Sequence, residues 1–460
     1  MGIVQKALSA AALLVAFLAG PGLTLGLPEM QTAAVAAVKA GDDAAARAMA
    51  RKILVVHPGD ALAEFVLTVV EMRGGNLPEA RTHGRRAFRL ADSDQQKFQA
   101  AMIAADIADR EDRPLALRFW LRQAADVAPR EVEKKAVLGV LAEEKARSPF
   151  SFGLSLSLAP SSNVNNGSSS PYNIIDGFYP VGLISAEGQA LSGWEGSLRA
   201  NLAWVVAEDA QRRTELTVTA SHLAVALSPE AKRAAPDLSG SDLGDSVLNF
   251  GLRRSWVTPD GQAKNVVSLE IGRGWSGVGT FRDLVELNLS QQRRLKGGQA
   301  LSYGLETIWT MPESPARSDT RRTTLKLAYG MGLANSDRIF ADLALSDTTA
   351  GPGNDRTSRD MRSVMLRTGW GRAKPVGPFT LSASIGANYS DYPDYRLGFI
   401  SVPGGRQDVT GFGDVTLGFD RLSIAGFQPT LSLRVLSTHS NVSAFTTRDT
   451  SLGFGLSAEF

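Results

Sequence analysis

Hydrophobic positions along this chain follow two different periods, and the change falls at Ser148-Pro149. From residue 149 onward, apolar and small or polar residues alternate strictly. Phe150, Phe152, Leu154, Leu156 and Leu158 alternate with Ser151, Gly153, Ser155, Ser157 and Ala159. Leu198, Leu202, Trp204 and Val206 alternate with Arg199, Asn201 and Ala203, and Leu301, Tyr303 and Leu305 with Ser302, Gly304 and Glu306. A period of two with one fully apolar face predicts β-strands. Fourteen such segments can be counted, near 149–160, 191–206, 213–228, 245–257, 264–276, 281–292, 299–310, 320–332, 337–346, 360–371, 378–390, 408–420, 428–438 and 450–460. Residues 393–401 read as loop. An even strand number suits a bacterial outer-membrane barrel.

Three features favour such a barrel over a soluble sandwich. Connections alternate between long (161–190, 229–244, 347–359, 391–407) and turn-like, such as Thr258-Pro259-Asp260-Gly261. That is the rule of long outer loops and short periplasmic turns. Trp194, Trp204, Trp256, Trp275, Trp309 and Trp370 lie near strand ends on the apolar parity, as two interfacial girdles would place them. The last segment carries Leu452, Phe454, Leu456, Ala458 and a terminal Phe460, the form of signal that barrel-insertion machinery reads. The opposite parity supplies Glu195, Arg199, Glu270, Glu286, Glu306, Lys326, Asp342, Arg367, Asp414 and Arg434, which predicts a charged, mixed-sign lumen.

Residues 28–148 have no strand period. They are rich in Ala, Arg and Leu, and they repeat. Gly41-Asp42 with Ala46-Arg47 returns as Gly75-Asn76 with Ala80-Arg81, and Asp60 returns as Asp94. The shift is that of tetratricopeptide helix pairs. A looser third copy follows at Asp112-Arg113-Pro114, with Ala116 in the matching place. The expectation is an α-helical array of tetratricopeptide type in the periplasm, offering a concave surface to a peptide or protein. Residues 1–26 carry Lys6 and an apolar run from Ala7 to Gly20, too short for a membrane helix and expected to be a secretory signal peptide. Cleavage after Gly20 and after Gly26 both fit.

Composition narrows the chemistry. The 460 residues carry Lys+Arg 49 against Asp+Glu 47, a net charge of +2. That balance excludes a dedicated nucleic-acid partner, which needs a concentrated basic surplus. There are no cysteines, so disulfides, thiolate nucleophiles and cysteine metal sites are excluded. His57, His83, His222 and His439 are scattered. No metal and no cofactor is expected. Gly272 to Gly277 formally matches a dinucleotide fingerprint but ends a strand with no helix after it. His439-Ser440 is the nearest approach to a catalytic pair, with no orienting acid in view. The chain is therefore not expected to be an enzyme. An outer-membrane hydrolase stays as an alternative, decided by whether His439 and Ser440 share a cleft with an acid.

The Asn- and Gly-rich run Ala159-Pro160-Ser-Ser-Asn163-Val-Asn165-Asn166-Gly167 has the residues of self-bonded turns. With the signal peptide, the short helical array and the closing Phe460, this run makes the chain resemble the surface lipoprotein assembly modifier (Slam) family. The motif positions are Ala159, Pro160, Asn163 and Asn165. The resemblance implies a periplasmic repeat domain before a fourteen-stranded outer-membrane barrel at 149–460. It also implies assistance in moving a lipoprotein or a secreted client protein to the cell surface. The expected partners are outer-membrane lipid, the barrel-insertion machinery and that client. A polysaccharide export porin, which also joins tetratricopeptide repeats to a barrel, is the alternative; its arrays are generally longer and its barrels have sixteen strands. A plain diffusion porin would need no repeat domain.

Overall fold

The structure is a computed structural model that describes residues 26–176, 180–314, 316–353, 355–419 and 427–459. The expected signal peptide, apart from Gly26, and the terminal Phe460 lie outside the described residues. Two compact units meet in sequence between Ser148 and Pro149.

The first unit is helical: α1 Leu27–Ala40, α2 Asp43–Val56, α3 Ala61–Arg73, α4 Leu77–Leu90, α5 Asp94–Arg110, α6 Pro114–Asp126 and α7 Glu131–Arg147. Helix starts at 27, 61 and 94 in one series and 43, 77 and 114 in the other. The 34-residue step therefore holds from the first hairpin to the second and drifts at the third. Local chemistry sets the boundaries. Gly41, at φ 78°, ends α1 in the left-handed region, where glycine carries no steric cost. The Asp42 and Asp60 side chains cap α2 and α3 by accepting from Ala45 N and Ala63 N. Asp94 is not the equivalent cap. Ser93 takes that role, in a capping box with Gln96.

α3 and α5 are buried around most of their circumference. Phe65, Val66, Leu67 and Val70 join Ile53, Ala46 and Ala80 in one core; Phe98, Leu117, Trp120 and Leu121 join Val137 and Leu141 in a second. Ala46 and Ala80 are fully buried, as expected of positions where paired helices approach closely. Successive hairpins are also pinned by charge. Arg47 at the start of α2 binds Glu71 near the end of α3 at 2.8 Å, and Arg81 of α4 binds Glu111 just past α5 at 2.9 Å.

The second unit is one closed antiparallel barrel of fourteen strands. They are β1 Phe150–Ser161, β2 Gly193–Glu208, β3 Arg212–Leu227, β4 Asp245–Val257, β5 Ala263–Ser276, β6 Phe281–Arg294 and β7 Ala300–Pro312. After these come β8 Thr320–Gly332, β9 Arg338–Ala350, β10 Met361–Gly371, β11 Thr380–Tyr392, β12 Arg406–Gly418, β13 Gln428–Ser440 and β14 Thr447–Glu459. Each strand pairs with its sequence neighbours, and β14 pairs with β1 to close the ring. Closure removes the two edges whose free N–H and C=O groups lipid could not satisfy. Residues 393–401 add no barrel strand; they hold a small separate hairpin, Arg396–Leu397 with Ile400–Ser401. A second small hairpin, Tyr172–Ile174 with Pro180–Leu183, sits in the loop after β1.

Pairing register fixes the faces. Leu156 stands opposite Leu198 and Leu456, and Leu343 opposite Leu327 and Leu366. These belong to the outward set, where Leu252 is 50% exposed, Ile271 59%, Leu366 57% and Ile385 66%. An encircling band of this kind is soluble only in a bilayer. The chain is a β-barrel of the outer-membrane type. All six barrel tryptophans fall on the outward parity, and Trp204 stacks on Phe150 at 5.7 Å between centroids.

Candidate functional site

Three places in the two units carry chemistry: the lumen, the loops at the end of the barrel that bears the long connections, and the helical array.

All ten charged residues assigned inward by parity lie on the inward face. Four of them are paired with one another, and further inward charges pair beside them. Lys326 Nζ meets Glu306 at 2.6 Å, Arg367 meets Asp342 at 2.6 Å, and Glu215 is held between Arg213 at 2.9 Å and Arg253 at 3.1 Å. Glu270 and Glu286 face each other directly across β5 and β6. Among the described residues no cluster of acids and histidines could hold a metal ion. Two aromatic rings also stand in the lumen, each on a glycine. A Cβ at Gly369 would lie 2.2 Å from the Phe340 ring, and one at Gly386 would lie 2.4 Å from the Phe412 ring. Only glycine fits beneath them. Arg367 in turn lies over the Phe340 ring at 5.2 Å. Such a lined passage offers paired charge and flat apolar faces. Among the described residues, no nucleophile, base and acid are brought together in it.

The long loop after β1 is tied to the loops after β11 and β13. Asn163 and Asn165 begin it. Asn163 Nδ2 donates to Gly167 O at 2.9 Å and its Oδ1 accepts from Gly167 N at 2.8 Å. Asn165 Nδ2 donates to Gln189 O at 2.7 Å, and its Oδ1 accepts from Leu191 N at 2.9 Å. Both amides are committed to backbone, which is what an Asx-rich turn does. Ala159 and Pro160 precede them inside β1 rather than after it. The β1–β14 ladder lapses at these two residues and resumes at Ser161–Ser451, because proline has no N–H to donate. Farther along, Ser168 Oγ donates to Ser443 O, and Asp176 N donates to Asn441 O. Ile175, Tyr395, Val402 and Val442 make a small core among the three loops.

Beside that core lies a site the alternation pattern gave no sign of. Arg406, 6% exposed, has its guanidinium carbon 3.6 Å from the Tyr392 ring centre and 3.7 Å from that of Phe445, with Asp408 at 3.2 Å. The arrangement clamps the loops by cation–π contact in a desolvated setting. Burial there raises the pKa of Tyr395. Its members come from the end of β11, the start of β12 and the loops after β11 and β13, so only long-range pairing brings them together.

His439 and Ser440 do not form a catalytic pair. Val409, on the outward face, stands opposite His439, and Asp408, on the inward face, stands opposite Ser440. Adjacent strand residues point to opposite faces. His222 also faces outward and bonds Ser246 Oγ at 2.8 Å. Leu452, Phe454 and Leu456 of the expected assembly signal lie on the outward face of the closing strand.

In the helical array, Arg85, Arg86 and Arg89 are exposed along α4, and Arg86 lies 3.5 Å from buried Glu64. Val55 and Val56 at the end of α2 are 83% and 65% exposed. Internal polarity was not legible from period alone. Arg118 is 1% exposed; burial pulls its pKa down, against the pull of nearby Glu144. Glu144 is itself pushed up by burial.

No family model matches this chain, and no curated protein matches it. Solved structures with a similar fold include an outer-membrane channel from Pseudomonas putida F1, at 12% identity and a TM-score of 0.36 over 68% of this chain and 96% of that one. A Pseudomonas aeruginosa FadL homologue matches at 10% identity and a TM-score of 0.35, over 68% of this chain and 90% of that one. The outer membrane channel DcaP of Acinetobacter baumannii matches at 10% identity and a TM-score of 0.38, over 68% and 96%. At these identities nothing those proteins bind or conduct carries over to this chain.

Proposed function

We propose that this protein assists the translocation or surface display of a lipoprotein or secreted client protein, with the helical array capturing the client in the periplasm. One observation carries the reading. A three-hairpin repeat array runs through Ser148 and Pro149 directly into β1, and β1 starts at the end of the barrel that bears the short turns. By the outer-membrane rule that end is periplasmic. A barrel serving only as a pore for small solutes has no need of a repeat array, and stacked helix pairs commonly present a concave surface to polypeptide. The resemblance to Slam proteins, carried by Ala159, Pro160, Asn163 and Asn165, points the same way. The short linker would give captured client a high effective concentration for the tethered barrel, on the order of millimolar for tethers this short.

The test is in-cell photo-crosslinking from a benzoyl-phenylalanine at Val55 of the full chain, on the exposed tip of α2. An adduct with an exported lipoprotein or secreted protein is expected. Absence of any protein adduct, together with loss of an extracellular polysaccharide when the gene is deleted, would favour the sugar exporter instead.

A further inference from the structure

The outward face of the barrel is not uniform at its short-turn end. On β7 to β12 the outward positions nearest those turns are aromatic or aliphatic: Leu301, Met331, Ile339, Trp370, Leu381 and Leu417. On β3 the position nearest the turn is Arg212, and on β4 Arg254 stands one outward position inside Trp256. Arg212 stands opposite Trp256, and Arg254 opposite Thr214 and Val267, all on the outward parity set by Leu216 and Leu252. Arg212 and Arg254 are thus diagonal neighbours on adjacent strands, close enough for both to reach one group. A groove of about 550 Å³ runs from them toward mid-strand, lined by the two arginines, by Trp256 level with Arg212, and by Leu252, Val267 and Leu269 deeper in.

Both guanidiniums are exposed, and among the described residues neither forms a hydrogen bond or an ion pair. Some arginines elsewhere on the outward face or rim are neutralised: Arg273 binds Asp283 at 2.7 Å, and Arg282 binds Asp245 at 2.8 Å. Asp209 is the acid that feels both Arg212 and Arg254. Its carboxylate is already spent on the turn, accepting from Gln211 N at 2.9 Å and Arg212 N at 2.8 Å, and these bonds hold its pKa below the usual carboxylate value. Two cations and one committed acid leave a positive surplus at the level where lipid headgroups sit. Directly above is an apolar channel in the hydrocarbon zone.

We infer that the groove between β3 and β5 is a binding site for one anionic phospholipid of the periplasmic leaflet. Its phosphodiester sits between Arg212 and Arg254, and an acyl chain lies along Leu252, Val267 and Leu269. Guanidinium suits this ligand because its planar donors match phosphate oxygens two at a time. Trp256, level with Arg212, places an amphipathic ring at the headgroup level.

Native mass spectrometry of the full chain in detergent tests this, with palmitoyl-oleoyl phosphatidylglycerol as probe and phosphatidylethanolamine of the same chains as comparator. The parent should retain the phosphatidylglycerol preferentially. Arg212→Gln with Arg254→Gln should weaken retention roughly tenfold or more, while Arg448→Gln, an outward cation at the opposite end of the barrel, should not change it. Leu269→Trp, which fills the groove and keeps both charges, should also weaken retention. Should the double variant give no heat-modifiable barrel, Arg254→Gln alone carries the test and should show the same direction. Equal retention of the two lipids by the parent, undiminished phosphatidylglycerol in the charge variants, or its displacement by equimolar inorganic phosphate would each overturn the assignment.

Discussion

Replacing Leu343 by arginine puts a charge into the lipid, and replacing its neighbour Ala344 puts the same charge into the lumen. The two residues lie near the middle of β9, Arg338–Ala350, at essentially one depth, so parity is the only large difference between them. Leu343 stands between Leu327 and Leu366 on the outward face, whereas Ala344 stands between Lys326 and Met365 on the inward one. A lipid-facing arginine at the bilayer midplane costs about 2–4 kcal/mol. An arginine at Ala344 meets Lys326 across the strand pair, but Lys326 is already bound to Glu306 at 2.6 Å. A like-charge cross-strand pair on a hydrated face costs about 1 kcal/mol or less. The separation is thus worth about 1–4 kcal/mol, or roughly 5- to 700-fold in the folding equilibrium. Urea unfolding of the barrel in lipid vesicles, followed by tryptophan fluorescence and by gel heat-modifiability, measures it directly. Equal losses for Leu343→Arg and Ala344→Arg would refute the face assignment of β9.

Other consequences can be checked separately. The Arg47 guanidinium holds the Glu71 carboxyl below its ordinary pKa, chiefly by a direct hydrogen bond. A lowered folded-state pKa means that this pair stabilises the array fully above the unfolded carboxylate value and progressively less as pH falls through the folded one. Residues 28–148 produced without the leader should be soluble and helical by circular dichroism. Their melting temperature should fall on acidification less steeply in Glu71→Gln, which should also lose about 1–3 kcal/mol at neutral pH. Phe460→Ala should lower the amount of heat-modifiable barrel in the outer membrane; normal amounts would count against the terminal-signal expectation.

All fourteen barrel strands were legible because two constraints coincide in a membrane barrel. Backbone pairing gives every strand a period of two, and lipid demands that one parity be apolar throughout. The strand ends were less legible. β9 continues to Ala350, past the expected end at 346, and β13 continues to Ser440, past 438. The added residues, Asp347-Thr-Thr-Ala and His439-Ser440, carry no apolar alternation. Ladder bonds do not need it, so pairing goes on above the hydrocarbon. In the helical unit the repeat positions Gly41, Asp42 and Asp60 prove to be helix caps, while the third hairpin drifts because α5 begins from Ser93 and runs four residues longer than α3. The aromatic clamp on Arg406 and the outward arginine pair at Arg212 and Arg254 were not legible. Each depends on register between strands that a linear pattern does not contain. Asn163 and Asn165 stood out in sequence, and the structure spends both side chains on turn backbone.

Surface display of the client in cells that carry only the barrel bears most directly on the central claim. Residues 28–148 are removed while the leader and 149–460 are kept, and protease accessibility of a tagged candidate lipoprotein is read on intact cells beside heat-modifiability of the barrel. The account predicts a folded barrel at normal levels with the client lost from the surface. A client that stays protease-accessible without the helical array would contradict it.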